Sequence, residues 1–330
     1  MGIPDLLGFG EATRSAVNLH LIVTGIQTGP VSLISDAVDV LGVAWYTLAM
    51  RRLARRGQHW SRWTAMAYLA GIGAIFIAVG SGLAAYDDVN VTMHVIQHVL
   101  LMMVAPPLIA LGRPVTLATQ AAKRSNQLLL IRVARSRIVA ALTFPLFAWC
   151  LYYGTMYLFF LTAIYPYSVA HPLFHDATHI EFFVAGYLYW QPIVGLDPAR
   201  WRAPYPVRVL VLFFGMPYEA FLGISVITLP RPLASINTLA NTHAAGQTFW
   251  ILSEMLTGAA VGIVVMQWLR QISREERRQD RQVARNNLEN RQRAEELLGE
   301  ELPEGVTVPW WHLAKLEADH ARRSPPERGL

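Results

Sequence analysis

Apolar residues in this chain run in long, almost unbroken stretches, separated by short breaks rich in arginine or in turn residues. Runs of roughly 20 apolar residues are the length at which an α-helix crosses a bilayer. Strands of a membrane barrel would be shorter and would alternate apolar with polar. Seven runs meet the helical description: Val31–Met50, Thr64–Leu83, Val91–Leu111, Ile138–Leu161, Phe174–Ile193, Val207–Leu229 and His243–Leu269. The expected fold is all-α, a polytopic membrane bundle of seven transmembrane helices. Leu19–Ile26 is too short to cross and is expected to lie at the interface. The pattern divides the chain into an extracytoplasmic segment (1–30), a seven-helix transmembrane domain (31–269) and a charged C-terminal helix and tail (270–330).

Composition agrees. Of 330 residues, 53% are hydrophobic and only 15% charged, where soluble domains sit nearer a quarter charged. The net charge of +5 is not a nucleic-acid signal here, because the arginines sit in the breaks between apolar runs. They follow the first run (Arg51–Arg62), the third (Lys123–Arg137), the fifth (Arg200–Arg202) and the seventh (Arg270–Gln282). The alternate breaks, Ala85–Asn90, Thr162–His179 and Thr228–His243, hold little positive charge. By the positive-inside rule the N-terminus is expected outside and the C-terminus in the cytoplasm. The start of the chain lacks a basic n-region followed by a compact apolar core, so no cleavable signal peptide is expected. Cys150 is the one cysteine, which excludes an internal disulfide and any CxxC motif. The lysines, Lys123 and Lys315, lie outside the runs, so a retinal Schiff base has no residue to form on.

The third run carries the unusual chemistry. In VTMHVIQHVLLMMVAPPLIAL, His94, His98 and Met102 recur every four residues and so share one helical face. Pro106 and Pro107 are expected to break that helix. Imidazoles are expensive against lipid and should face protein, a cavity or a metal. A second series, His171, His175 and His179, opens the fifth run. It shares a face if the helix reaches that far back, which Pro172 permits. His243 opens the seventh run. With the expected topology, six of the ten histidines fall at one level near the outer surface. Asp87, Asp88, Asp176 and Glu181 lie near that level, and His20 precedes the first run. Imidazole with thioether (Met93, Met102, Met103) favours copper, while zinc fits imidazole alone. Asp176 is a candidate to orient a ligand imidazole. The ordinary alternatives are histidines that satisfy one another and methionines that only pack.

Deeper in the bilayer, Tyr218 and Glu219 lie in the sixth run and Glu254 in the seventh. A carboxylate at mid-membrane costs roughly 2.5–3.5 kcal/mol on insertion scales. Such groups mark either a polar pocket beneath the histidines or a pair of protonated glutamates that bridge helices.

The segment MHVIQHVLLMMVAPPLIALGRPVTLA (Met93–Ala118) resembles the signature of the CtaG-type cytochrome c oxidase assembly factors, found in bacteria with caa-type oxidases. HDATHIEFFVAGYLYWQPIVGLDP (His175–Pro198), PYEAFLG (Pro217–Gly223) and the basic RRLARRGQHW fit the same family. The likeness covers roughly residues 30–270. It implies a seven-span protein of the bacterial plasma membrane that helps to mature the oxidase copper centres, with His94, His98, His175 and His179 as the matching histidines. Relatives often carry a histidine after the span-six proline, where Tyr218 and Glu219 stand here.

The expected function is that of a non-enzymatic assembly factor. It would bind copper in an outer His/Met pocket and aid its delivery, with oxidase subunits, soluble copper chaperones and the bilayer as partners. The alternatives are a membrane haem protein, with histidines as axial ligands, and a proton- or metal-coupled transporter that uses Glu219 and Glu254.

Overall fold

The computed structural model describes residues 20, 22, 25–87, 90–134, 136–198, 200–303 and 305–323. Most of the N-terminal segment, with much of Leu19–Ile26, lies outside them, as does Asp88. The regular elements among the described residues are helical. The chain divides into two compact units, Met1–Val265 and Met266–Leu330.

In the first unit, α1 (Pro30–Arg55) is followed by α2 (Arg62–Ile75), which continues into a wide π turn, Phe76–Gly80. Next comes α3 (Val91–Val99), a second π turn (Leu100–Val104), α4 (Ala105–Leu111) and α5 (Pro114–Ala121). Then come α6 (Arg124–Ala134), α7 (Arg137–Leu142), α8 (Pro145–Leu161), α9 (Ile164–Ala170), α10 (Pro172–Ile193) and α11 (Tyr205–Ile227). Helix α12 (Leu239–Leu298) is 60 residues long and passes through the boundary between the units.

Five helical stretches are long and apolar enough to cross a bilayer: Ser32–Arg55, Arg62–Gly80, Val91–Ala121, Tyr205–Ile227 and Leu239–Leu298. The bent pair α8–α9, broken at 72°, makes a sixth. Helix α10 has the length, 22 residues, but its polar side chains keep it from qualifying by composition. The seven runs of the sequence thus become five or six spans by this measure.

Two expected elements differ for reasons that lie in proline. Ile138–Leu161 reads as one run, yet Pro145 starts a new helix and forces Phe144 to an extended ψ of 127°. Conversely, Pro106 and Pro107 do not stop the third span. They fall in the first turn of α4, where a missing N–H costs little. The π turn just before them makes room for their rings.

Both π turns are met by polar side chains. The Trp190 indole on α10 donates to the Met102 carbonyl at 3.0 Å. The Gln97 amide on α3 donates to the Ala78 carbonyl at 2.9 Å. The start of α3 is fixed by Asn90, whose side-chain oxygen accepts from Thr92 N at 3.0 Å and Met93 N at 3.2 Å. Asn241 on α12 locks that cap by accepting from Val91 N at 2.8 Å and donating to Asn90 at 2.9 Å. At the other end of this span, the Asp197 carboxylate caps α5 by accepting from Val115 N (2.9 Å) and Thr116 N (2.7 Å).

Close packing holds the span from both sides. An added Cβ on Gly71 of α2 would sit 2.6 Å from Ile109, and one on Gly186 of α10 would sit 2.5 Å from the Met102 carbonyl. Small residues of this kind let membrane helices approach each other.

The second unit takes in the last part of α12 with α13 (Trp310–Arg323). Arg285–Glu289 and Arg291–Glu295 pair along α12, and Arg293 reaches Glu317 of α13 at 2.9 Å. Ala294 and Val308 are buried there.

Substituting Gly186→Ala is expected to destabilise the bundle by about 1–3 kcal/mol through overpacking against a backbone atom. Thermal unfolding in detergent checks this, and an unchanged midpoint would refute the close-contact account.

Candidate metal centre

Two turns of α3, the first two turns of α10 and the turn before α3 bring five polar side chains together inside the bundle. His94 (0% exposed), His98, His175, His179 and Asp87 are all buried. One ligand atom from each of His94, His98 and His175 can be chosen within 4.8 Å of the others, and likewise for Asp87, His175 and His179.

Hydrogen bonding assigns the tautomers. The Asp87 carbonyl can only accept, so His94 donates to it through Nδ1–H at 3.2 Å. In a neutral ring Nε2 of His94 is then bare. It lies 2.8 Å from His98 Nε2, which must donate. His98 Nδ1 therefore carries a lone pair, and it has no hydrogen-bond partner among the described residues. Both ring nitrogens of His179 are buried without a hydrogen-bond partner as well. His175 stacks on His94, with ring centres 4.9 Å apart, and its Nε2 lies 4.0 Å from the Asp87 carboxylate. That carboxylate is held by Gln97, which donates to it at 2.8 Å. One amide thus ties the cluster to the neighbouring π turn.

The walls are aromatic. Phe182 lies 4.0 Å from the His98 ring centre, Phe159 stacks on His94 at 5.6 Å, and the Tyr165 edge meets His94 at 5.0 Å. Beside His98 is a void of about 10 Å³, bordered by Met102, Met103 and Met156. A donor set of imidazoles and one carboxylate, with thioethers adjacent, fits a transition metal of the copper or zinc kind. Packed walls of this sort would shield such an ion from water.

The other expected ligands are not in this group. His171 is exposed, stacks on Tyr167 and donates to the Tyr167 carbonyl at 2.8 Å. It precedes the first helical turn with φ −132° and ψ 91°, so the spacing that would align it with His175 does not apply. His243 is half-buried and bonds the Leu229 carbonyl at 3.1 Å. Met102 lines the void but shares its turn with the π insertion, which alters the four-residue register from His98. His20 is exposed.

Of the expected polar pocket, Glu219 and Glu254 lie within electrostatic range of each other, while Tyr218 and Asp176 are placed differently. Asp176 is half-buried at the start of α10, next to His175. Glu219 is buried on α11, accepts from Thr257 at 3.0 and 3.1 Å and lies 3.5 Å from the Tyr153 hydroxyl. Tyr218 is 42% exposed, because adjacent residues on a helix point about 100° apart. Glu254 is half-buried on α12, three residues before Thr257.

Two contributors to the cluster, Asp87 and Gln97, stood outside the expected set, and two carboxylates of α1 carried a similar signal. Asp87 stood among the nearby carboxylates but outside the expected ligand set. Gln97 lies three residues after His94 and just before His98, a polar residue within an apolar run. Asp36 and Asp39 in α1 have buried oxygens with no hydrogen-bond partner among the described residues. Two carboxylates three apart in an apolar helix were the available signal.

A family model described as cytochrome c oxidase caa3 assembly factor matches residues 44–271. An uncharacterized protein of Mycobacterium bovis is 32% identical over 280 residues, covering 78% of this chain and 42% of that protein. One of Mycobacterium tuberculosis matches to the same extent, and one of Mycobacterium leprae is 30% identical over 270 residues, covering 76% of this chain and 40% of that protein. The chain thus spans about two fifths of the length of these curated relatives. No solved structure matches.

Replacing Asp87 with Leu would leave the Gln97 amide without its carboxylate acceptor. The expected cost is about 1–3 kcal/mol of stability, read as a lower unfolding midpoint in detergent. A midpoint equal to the parent's would show that the carboxylate does not hold the cluster together.

Proposed function

We propose, from the premise that the chain belongs to the cytochrome c oxidase caa3 assembly factor family, that it holds copper at His94, His98, His175, His179 and Asp87 and hands it to a subunit of the oxidase. The observation that carries this reading is the set of lone ring nitrogens, on His98 and His179, buried among further ligand atoms. A buried polar atom without a partner costs free energy, and a bound ion would supply the partner. His94 is already oriented by the Asp87 carbonyl, as hydrogen bonds to the ring nitrogen that faces away from a metal orient ligand imidazoles elsewhere. Met102, Met103 and Met156 next to His98 favour copper over zinc.

The chain's own residues would do three things. They bind through imidazole, orient through Asp87 and Gln97, and exclude water through Phe159, Phe182 and Tyr165. No covalent step is involved, so the role is that of a metal-holding assembly partner and not of an enzyme. Soluble copper chaperones are the proposed donors. In the same reading the chain crosses the plasma membrane seven times, with α10 as the crossing whose polar face is covered by its neighbours. The N-terminus and the histidines lie outside, and the arginine-rich loops lie in the cytoplasm.

The haem alternative gains little from this geometry. The rings already fill the space around His94 and His98, and the adjoining void is about 10 Å³. The transporter alternative rests on Glu219 and Glu254, and the Glu219 carboxylate is already engaged by Thr257 and Tyr153.

Purified protein loaded with copper is expected to retain about one ion per chain by elemental analysis, with no Soret band. The double substitution His98→Ala with His175→Ala should abolish retention while helix content stays the same. Equal copper in parent and double variant would end this reading.

A further inference from the structure

The end of the third span remote from the histidines gathers positive charge. Arg208, in the first turn of α11, is 5% exposed. Its Nε donates to the Ala203 carbonyl at 2.6 Å and its Nη1 to the Ile193 carbonyl at 3.3 Å, and its guanidinium lies 4.3 Å from the Tyr205 ring centre. Arg202 acts electrostatically on Arg208, and Arg113 acts on Arg202. Nε of both Arg113 and Arg202 is buried without a hydrogen-bond partner among the described residues. Burial pushes the Arg202 guanidinium below its ordinary value, and the nearby Arg113 adds to that. The carboxylate in range of Arg202 is Asp197, and its oxygens are engaged in capping α5. Arg202 thus has within electrostatic range a second guanidinium, Arg113, and a carboxylate that is already engaged.

Arg208 borders a cleft of about 280 Å³ between α8, α10 and α11, whose other walls include Trp149, Trp201, Pro192 and Val211. Around it α8 and α11 expose Leu146, Leu210 and Phe214, the apolar surface that a bilayer covers. An occupant must combine an anion with a hydrocarbon chain. Basic pockets between membrane helices on the arginine-rich side hold the headgroups of acidic lipids.

We propose that this cleft is a binding site for an anionic phospholipid, its phosphate held by Arg208, with Arg202 adding positive charge nearby, and one acyl chain lying against Trp149 and Trp201. The site is independent of the metal reading. It would set how this end of the bundle sits in the leaflet that faces the basic loops.

The test is native mass spectrometry of delipidated full-length protein titrated with phosphatidylglycerol or phosphatidylcholine. Phosphatidylglycerol is expected to bind at about fivefold lower concentration, the advantage of roughly one arginine near the surface. Arg202→Gln should bring that ratio towards one. Val211→Trp, which fills the cleft without changing charge, should do the same and guards against a folding defect from the lost arginine. Equal binding of both lipids by the parent, or an unchanged ratio in both variants, would overturn the proposal. Inorganic phosphate at matched concentration separates the sources. If it raises the unfolding midpoint as much as phosphatidylglycerol does, the ligand is a free anion and the lipid assignment fails.

Discussion

Inside an apolar bundle a polar atom has few partners to choose from, and that scarcity organises this structure. The Trp190 indole is spent on a carbonyl of one π turn and the Gln97 amide on a carbonyl of the other. The second amide hydrogen of Gln97 goes to Asp87, and the Asp87 carbonyl fixes His94. The cluster of imidazoles is therefore an extension of the hydrogen bonding that repairs irregular helix. Within the cluster this leaves bare ring nitrogens on His98 and His179, which is where ligand chemistry has room to act.

The same accounting separates the two ends of the third span. From His94 to Arg113 is about 28 Å along a helix. One end gathers nitrogen bases with a carboxylate beside them, and the other gathers guanidiniums near a carboxylate, Asp197, that is already engaged. A soft cation suits the first and a phosphate the second. Helix α10 joins both, since His175 and His179 open it and Pro192 and Ile193 near its end border the second cleft.

Much of this was legible in the chain. Continuous apolar runs gave helices, and four-residue spacing put His94 with His98 and His175 with His179. The family could be recognised from the H-x-x-x-H…A-P-P-L block, and the matched residues, 44–271, agree with its reach. The failures have local causes. Apolar periodicity does not register one inserted residue, so both π turns were invisible. Pro145 and Pro106 look alike as letters, but only one follows a residue driven to extended geometry. His171 kept the right spacing and lost its place because the helix starts one residue later. Tyr218 and Glu219 both look like members of one polar pocket, although neighbours on a helix face different ways. Gln97, Asp36 and Asp39 carried a signal that went unused, as polar residues set in apolar runs.

The π turn at Leu100–Val104 has one more consequence. It is in effect a single spare residue, and a spare residue can be given up. Relaxing it into an ordinary α turn would turn everything on its N-terminal side by about 100° while the prolines of α4 stayed in place. His94 and His98 would then swing away from His175 and His179 as a block. The helix therefore works like a mounting with an indexed joint, in which the histidine-bearing turns keep their aim only while the joint stays where Trp190 and Gly186 clamp it.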